Sequence, residues 1–430
     1  MNRRNFISKS SKTIGFGTIM GTNLNHLTDS IKGGEWEAIR NEFLLDRSKI
    51  QMSQFLLASH PSKVRNAINH HRKYLDDNPV EYYESNFVKN DYAVLSAASK
   101  YLGAQSNEIA LTDSTTMGLS LLYTGFDLKP DDDILSTTHD HYSTEKSLEY
   151  AAKGTGATLR HLNLYEDPHQ TKVDEVLSNL KKNIVPKTRL VAVTLVHSST
   201  GVKLPIKEMS VVIADINKQR TEADKIYFCV DAVHGFGVEN ITIEDLGCDF
   251  LVAGTHKWLF GPRGTGIIWA KKDAWHMVNS TIPPFSAAYL MWMDKMPKGP
   301  LSFYSKITPG GFHSFEHRWA LKEAFEFHLE IGKNKIQERT HHLSLLLKEG
   351  LEKISHIKLH TPLSPSLSSG INCFEVDGIE AEDVVKKLGM KNIIASTTPY
   401  KKVYARLTPC IINTEEEVVK CIEALENIMS

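Results

Sequence analysis

Cysteine is scarce and scattered: Cys229, Cys248, Cys373, Cys410 and Cys421 make no CxxC pair. That excludes a dense disulfide framework of the small secreted kind and leaves reduced or buried thiols as the expectation. Long apolar runs are missing as well. None approaches the roughly 20 residues a membrane-crossing helix needs, so no stable membrane insertion is expected. Charge of one sign is also lacking, with 50 basic against 51 acidic side chains and a net charge of −1. No global field then favours nucleic acid or an anionic membrane, and a small molecule is the expected partner. There is no internal repeat and no low-complexity tract.

What is present is an ordinary globular composition, 41% hydrophobic and 23% charged over 430 residues. That length exceeds what one hydrophobic core usually serves, so two domains are expected. Arg3-Arg4, with Phe6-Ile7, Lys9 and the weakly apolar Thr13 to Met20 after them, looks like a twin-arginine signal for export to the bacterial periplasm. A disordered basic start of a cytoplasmic protein is the alternative. No A-x-A-like cleavage site follows. Residues 31–90 read as a helical lead-in packed beside the smaller domain, not as a catalytic core, with Asn78-Pro79 stopping one helical run. From about Tyr92 to Ala270 helical patterns alternate with short β-branched strands such as "LVAVTLV" and "GIIWA". Such alternation predicts an α/β fold with a mostly parallel sheet covered by helices on both faces. Pro-, Met- and aromatic-rich text from about Ser280 to Gly311 marks the expected change from a large domain (91–305) to a smaller α+β domain (306–430).

Chemistry concentrates in "IYFCVDAVHGFG" and "CDFLVAGTHKWLFGPRGTG", where one apolar strand delivers Asp231 and the next delivers Lys257. Ligands of open α/β sheets bind at strand C-termini, where both residues fall. A lysine that can form an imine and a carboxylate that can hold a pyridine nitrogen protonated are the two groups pyridoxal 5'-phosphate (PLP) chemistry requires. The third requirement is a cradle for a dianionic phosphate. Ser114, Thr115 and Thr116 open an apolar-periodic helix and suit that role, although Ser and Thr are also ordinary helix caps.

From about Tyr83 to Ile428 the order of these motifs resembles the class V branch of the fold-type I PLP-dependent transferases, which includes cysteine desulfurases and isopenicillin N epimerase. The resemblance implies a PLP enzyme acting at the α-carbon of a small amino acid, epimerase-like, with transamination or a C–S or β-elimination lyase activity as alternatives. It implies a Schiff base at Lys257, Asp231 on the ring nitrogen, and His141 of the Asp140-His141 pair stacked on the ring, with His139 as the competing choice. It further places His234 at the cofactor's phenolic oxygen, Thr255 and His256 near the phosphate, Ser198 facing cofactor or substrate, and Arg406 on the substrate carboxylate. A surface ion pair is the alternative for Arg406. A homodimer with sites at the interface is implied too.

Three departures accompany the resemblance. Met117 stands where many relatives have an acid, "GGFHSFEHRW" lacks the Gly-Thr through which partner subunits often reach the phosphate, and Ser396 to Lys402 holds no cysteine where desulfurases keep their nucleophile. A remote rival is a zinc metallopeptidase using His313, Glu316 and His317 in an H-x-x-E-H pattern, although "TPGGFHSF" reads as a loop and no metal is expected. The adjacent pairs His70-His71 and His341-His342 cannot share a helix face and are expected to be solvated.

Overall fold

The computed structural model describes residues 34–429; Arg3-Arg4 and the rest of the expected export signal lie outside them. The central element is a seven-stranded sheet. Its strands are β1 (Ile109–Thr112), β2 (Asp133–Thr137), β3 (Thr158–Leu162), β4 (Thr188–Thr194), β5 (Tyr227–Asp231), β6 (Phe250–Gly254) and β7 (Gly266–Ala270), in the order β1-β7-β6-β5-β4-β2-β3. β7 is antiparallel to both its neighbours and every other pairing is parallel. Strands β4 to β7 are buried at every residue. Helices cover both faces, which is why these strands read as continuous apolar runs and not as alternating ones.

Two long helices precede the sheet. α1 (Ser62–Asp77) stops at Asn78, and Pro79 opens α2 (Pro79–Leu102), where a missing N–H costs nothing. α2 ends on Gly103 at φ 69°, the left-handed cap that favours glycine. It runs unbroken through the expected boundary at 90/91. The lead-in divides its packing. Ile50–Gln51 pairs with Ile393–Ile394, and Arg40 reaches Glu417 and the Ile412 carbonyl in the C-terminal part. α1 and α2 instead pack against the helix Phe315–Trp319 and against α5 (Leu321–Ile331), on the large sheet's side.

Residue 305/306 also falls inside a helix, Phe303–Ile307. Leu321, Phe325 and Ile331 beyond it share one apolar core with Tyr101, Phe236 and the sheet. A separate core begins on α6 (Lys333–Leu351) with Leu343, Leu347 and Leu351 and includes Phe374, Leu407, Cys421 and, from the lead-in, Met52. Its sheet contains β8 (Ile357–Leu359), β9 (Asn372–Val376), β10 (Ser396–Thr397) and β11 (Ala405–Leu407), ordered β10-β11-β9-β8 and antiparallel. The composition change near 280–311 therefore marks an exposed aromatic connection, whereas the core changes some 30 residues later. All five cysteines are free and buried.

Candidate active site

The C-terminal ends of β4, β5 and β6, the N-terminus of helix α3 (Thr115–Thr124) and a loop of the small domain enclose a cavity of about 170 Å3. Asp231 ends β5 with its carboxylate buried, accepting from Val233 N at 3.0 Å and Thr144 Oγ1 at 3.3 Å. Burial pushes its pKa up to about 6, against the pull of the Val233 N–H and of Lys257. Lys257 lies three residues beyond β6. Burial brings its ammonium down to about 8, with Asp231 opposing and Arg406 adding to the shift. Its Nζ sits 3.3 Å from His234 Nε2. Burial and the surrounding cationic side chains hold the His234 pKa far below the usual imidazole range.

Ser114 caps α3 by accepting from Met117 N at 3.1 Å, and Thr116 bonds Ser143 at 3.0 Å. Thr115 Oγ1 is buried with no hydrogen-bond partner, as is Thr194 Oγ1 at the end of β4. A Cβ on Gly254 would lie 2.5 Å from Thr115 Oγ1, so only glycine leaves that hydroxyl its place. The unpaired Thr115 hydroxyl beside first-turn N–H groups forms a cradle for an anion. The residues fit a phosphorylated cofactor.

His141 caps α4 (Tyr142–Thr155), accepting from Ser143 N at 3.2 Å, and its ring faces the cavity 5.9 Å from that of Tyr400. His139 turns away and stacks on Tyr165 at 3.9 Å. Asp140 braces the turn that presents His141, accepting from Ser136, Thr137 N and Thr137 Oγ1. Ser198 lines the cavity and bonds Tyr400 at 2.9 Å. His256 lines it too, with Nδ1 3.2 Å from the Thr265 carbonyl. Thr255, expected near the phosphate, is not among the residues lining the cavity. It is fully buried beneath the Lys257 turn and bonded to Thr265 at 2.6 Å, so it supports the turn and does not line the cavity.

Arg406 is 1% exposed and has no carboxylate within ion-pair distance among the described residues, which removes the surface-ion-pair alternative. It donates to the Ser198 and Thr397 carbonyls and to Ser396 Oγ, and lies 4.8 Å above the Phe55 ring. Three of its five N–H groups are thereby used and two remain. A buried cation without a counterion is costly unless a ligand supplies the charge.

The sequence reading misses Phe55, Leu56, Thr194 and Trp258 as parts of the site. Thr194 had a readable sign, a hydroxyl ending an apolar strand. Phe55 and Leu56 come from the lead-in, Leu56 lining the cavity and Phe55 packing against Arg406 and His234, and nothing in their local pattern announces either place. The rival zinc pattern does not assemble. His313 faces Asp113 and the Pro309 carbonyl, His317 Nδ1 donates to the Arg263 carbonyl at 2.8 Å, and no metal-holding cluster occurs among the described residues. Solvation holds for His70 and His342 but not for their neighbours. His71 bonds Tyr82, and His341 bonds the buried Glu239.

The sequence model of the family described as Aminotransferase class-V matches residues 92–400. The chain belongs to that family. Class V members are PLP-dependent enzymes, so this one is an enzyme of that kind. Isopenicillin N epimerase of Streptomyces clavuligerus is 22% identical over 408 residues, 91% of this chain and 98% of the relative. A probable cysteine desulfurase of Halalkalibacterium halodurans is 26% identical over 336 residues, 75% and 78% of the two chains. Among solved structures, C-DES with glycine covalently linked to its PLP cofactor superimposes with a TM-score of 0.81 at 21% identity, covering 90% of this chain and 99% of that one. The class V chain thus has the fold of the fold-type I PLP enzymes.

Proposed function

We propose that this class V enzyme acts at the α-carbon of a small amino acid, removing the α-proton with the amine of Lys257 in an epimerase-like reaction. The observation that carries the reading is one cavity in which Lys257 and Asp231 meet the buried Arg406, whose charge has no counterion within ion-pair distance among the described residues. Bound PLP supplies the electron sink that makes an α-proton acidic. Asp231 would hold the ring nitrogen, Ser114, Thr115 and Thr116 the phosphate, and the His141 ring one wall of the site. Arg406 has two free N–H groups with which to hold and orient a substrate carboxylate. Lys257, brought down to about 8 by burial, has a neutral amine available near neutral pH to take the proton at Nζ. Returning the proton to the carbon gives epimerisation. Transamination and β-elimination, including C–S cleavage, begin from the same proton removal, and their products tell them apart.

The test is α-hydrogen exchange in deuterated water across a panel of amino acids, followed by chiral and keto-acid analysis. Exchange by the wild type, lowered at least ~100-fold in Lys257→Ala, is expected. No exchange with any amino acid would overturn the reading.

A homodimer is part of the same proposal, supported by the exposed ladder Phe285, Tyr289 and Trp292 and the exposed Phe312 in the connection near 280–312. Export to the periplasm is proposed from Arg3-Arg4 with Phe6-Ile7, Lys9 and the weakly apolar run after them, and cell fractionation with and without those arginines decides it against a cytoplasmic location.

A further inference from the structure

Trp258 directly follows the reactive lysine, and its indole Nε1 donates to Nδ1 of His234 at 3.3 Å. An indole N–H can only donate. Nδ1 of His234 therefore keeps its lone pair, which excludes both the imidazolium and the Nδ1–H tautomer and leaves the ring proton on Nε2. Nε2 is the atom that lies 3.3 Å from Lys257 Nζ. We propose that Trp258 is a positioning residue that fixes His234 as the Nε2–H tautomer, a hydrogen-bond donor aimed at the neutral amine of Lys257 and at an acceptor of the bound cofactor beside it. The proposal rests on the reading of Lys257 as the reactive lysine.

The surroundings hold this arrangement. Trp258 and His234 are both buried, and the edge of Phe55 meets the His234 ring at 5.5 Å. A Cβ on Gly370 would lie 2.4 Å from Trp258 Cη2, so the missing side chain there makes room for the indole. The titratable and charged groups around His234 are Lys257, Arg406, His141 and His256, and each opposes a second ring proton. Asp231, across the cavity, is committed to Val233 N and Thr144. A protonated or flipped His234 would accept where it should donate, or would place a second cation against Lys257. The indole N–H removes both options by geometry.

The experiment is histidine-selective 15N labelling of the full cofactor-free chain, with His234→Gln to assign the resonance. At about pH 9, above the value of about 8 at which the Lys257 amine becomes neutral and able to accept, Nδ1 in the wild type is expected to be unprotonated and Nε2 protonated. Trp258→Phe keeps an aromatic ring while removing the donor and part of the indole's volume, and His234 should then populate both tautomers at that pH. A protonated Nδ1 in the wild type overturns the proposal, as does an unchanged tautomer in a folded Trp258→Phe. If Trp258→Phe does not fold, the wild-type spectrum still decides. In the holoenzyme, Trp258→Phe should move the pH midpoint of the cofactor's visible absorbance by about one unit, a tenfold change in proton affinity, and should add nothing in a His234→Gln background. An equal shift in that background would show that Trp258 acts by some route other than His234. Because the tautomer is read without substrate or cofactor, its failure is separable from failure of the α-carbon reading.

Discussion

At Lys257, burial and the Arg406 charge lower the pKa while Asp231 raises it, leaving a value of about 8. The sign of the resulting pH dependence follows. Below about 8 the amine is mostly ammonium and cannot take a proton, so α-hydrogen exchange should rise with pH, about tenfold per unit well below the midpoint, and level off above it. A rate that falls through the same range would assign the proton removal to another group. Arg406 gives a second residue-level expectation. Its three protein hydrogen bonds point in separate directions from one planar group, which a lysine ammonium cannot reproduce. Arg406→Lys should therefore raise KM at least ~10-fold, with a smaller effect on kcat, because substrate holding is lost before chemistry. Steady-state kinetics in the substrate identified by the exchange panel check it.

Among the elements, α2 is joined to the helix Phe315–Trp319 through one buried carboxylate. Asp91 accepts from Tyr304 Oη at 2.5 Å, Arg318 Nη2 at 2.6 Å and Trp319 Nε1 at 3.2 Å. Asp91→Ala would leave the Arg318 guanidinium buried without its partner, which costs about 3–5 kcal/mol. A urea midpoint that stays at the wild-type value would show that the node contributes nothing. The loop from Ser396 to Lys402 carries the other element-level prediction. It brings Pro399 and Tyr400 into the cavity and no thiol, while Cys373 lies on β9 with burial raising its thiol to about 12. A persulfide-forming enzyme needs an accessible thiolate. Sulfide release from cysteine with a reductant present should therefore not depend on any of the five cysteines, and loss of turnover on replacing one of them would show a thiol acting in the reaction.

For the whole molecule, the ladder from Phe285 to Trp292 and the 84%-exposed Phe312 leave large aromatic side chains uncovered, surface of the kind a second subunit buries. Light scattering should give twice the chain mass, and Trp292→Glu together with Phe312→Glu should shift it toward the monomer. A wild-type monomer that binds PLP and exchanges α-hydrogens would refute a dimeric site.

The sequence by itself determined the features whose physics is local. Apolar runs fixed strands β4 to β7, a hydroxyl before an apolar helix fixed the Ser114 cap, and strand ends placed Asp231 and Lys257 at the sheet's ligand-binding edge. Tertiary structure alone decided what depends on distant segments meeting. The pairing of Phe55 with Arg406, of Trp258 with His234 and of Asp91 with Arg318 spans contacts that no periodicity encodes. The choice of His141 over His139 for the cavity was likewise settled by packing, because Tyr165 on a remote segment captures the His139 ring. Where the Thr255 hydroxyl points was decided in the same way: a hydroxyl near a site in sequence faces wherever its nearest partner lies, and for Thr255 that partner is the buried Thr265.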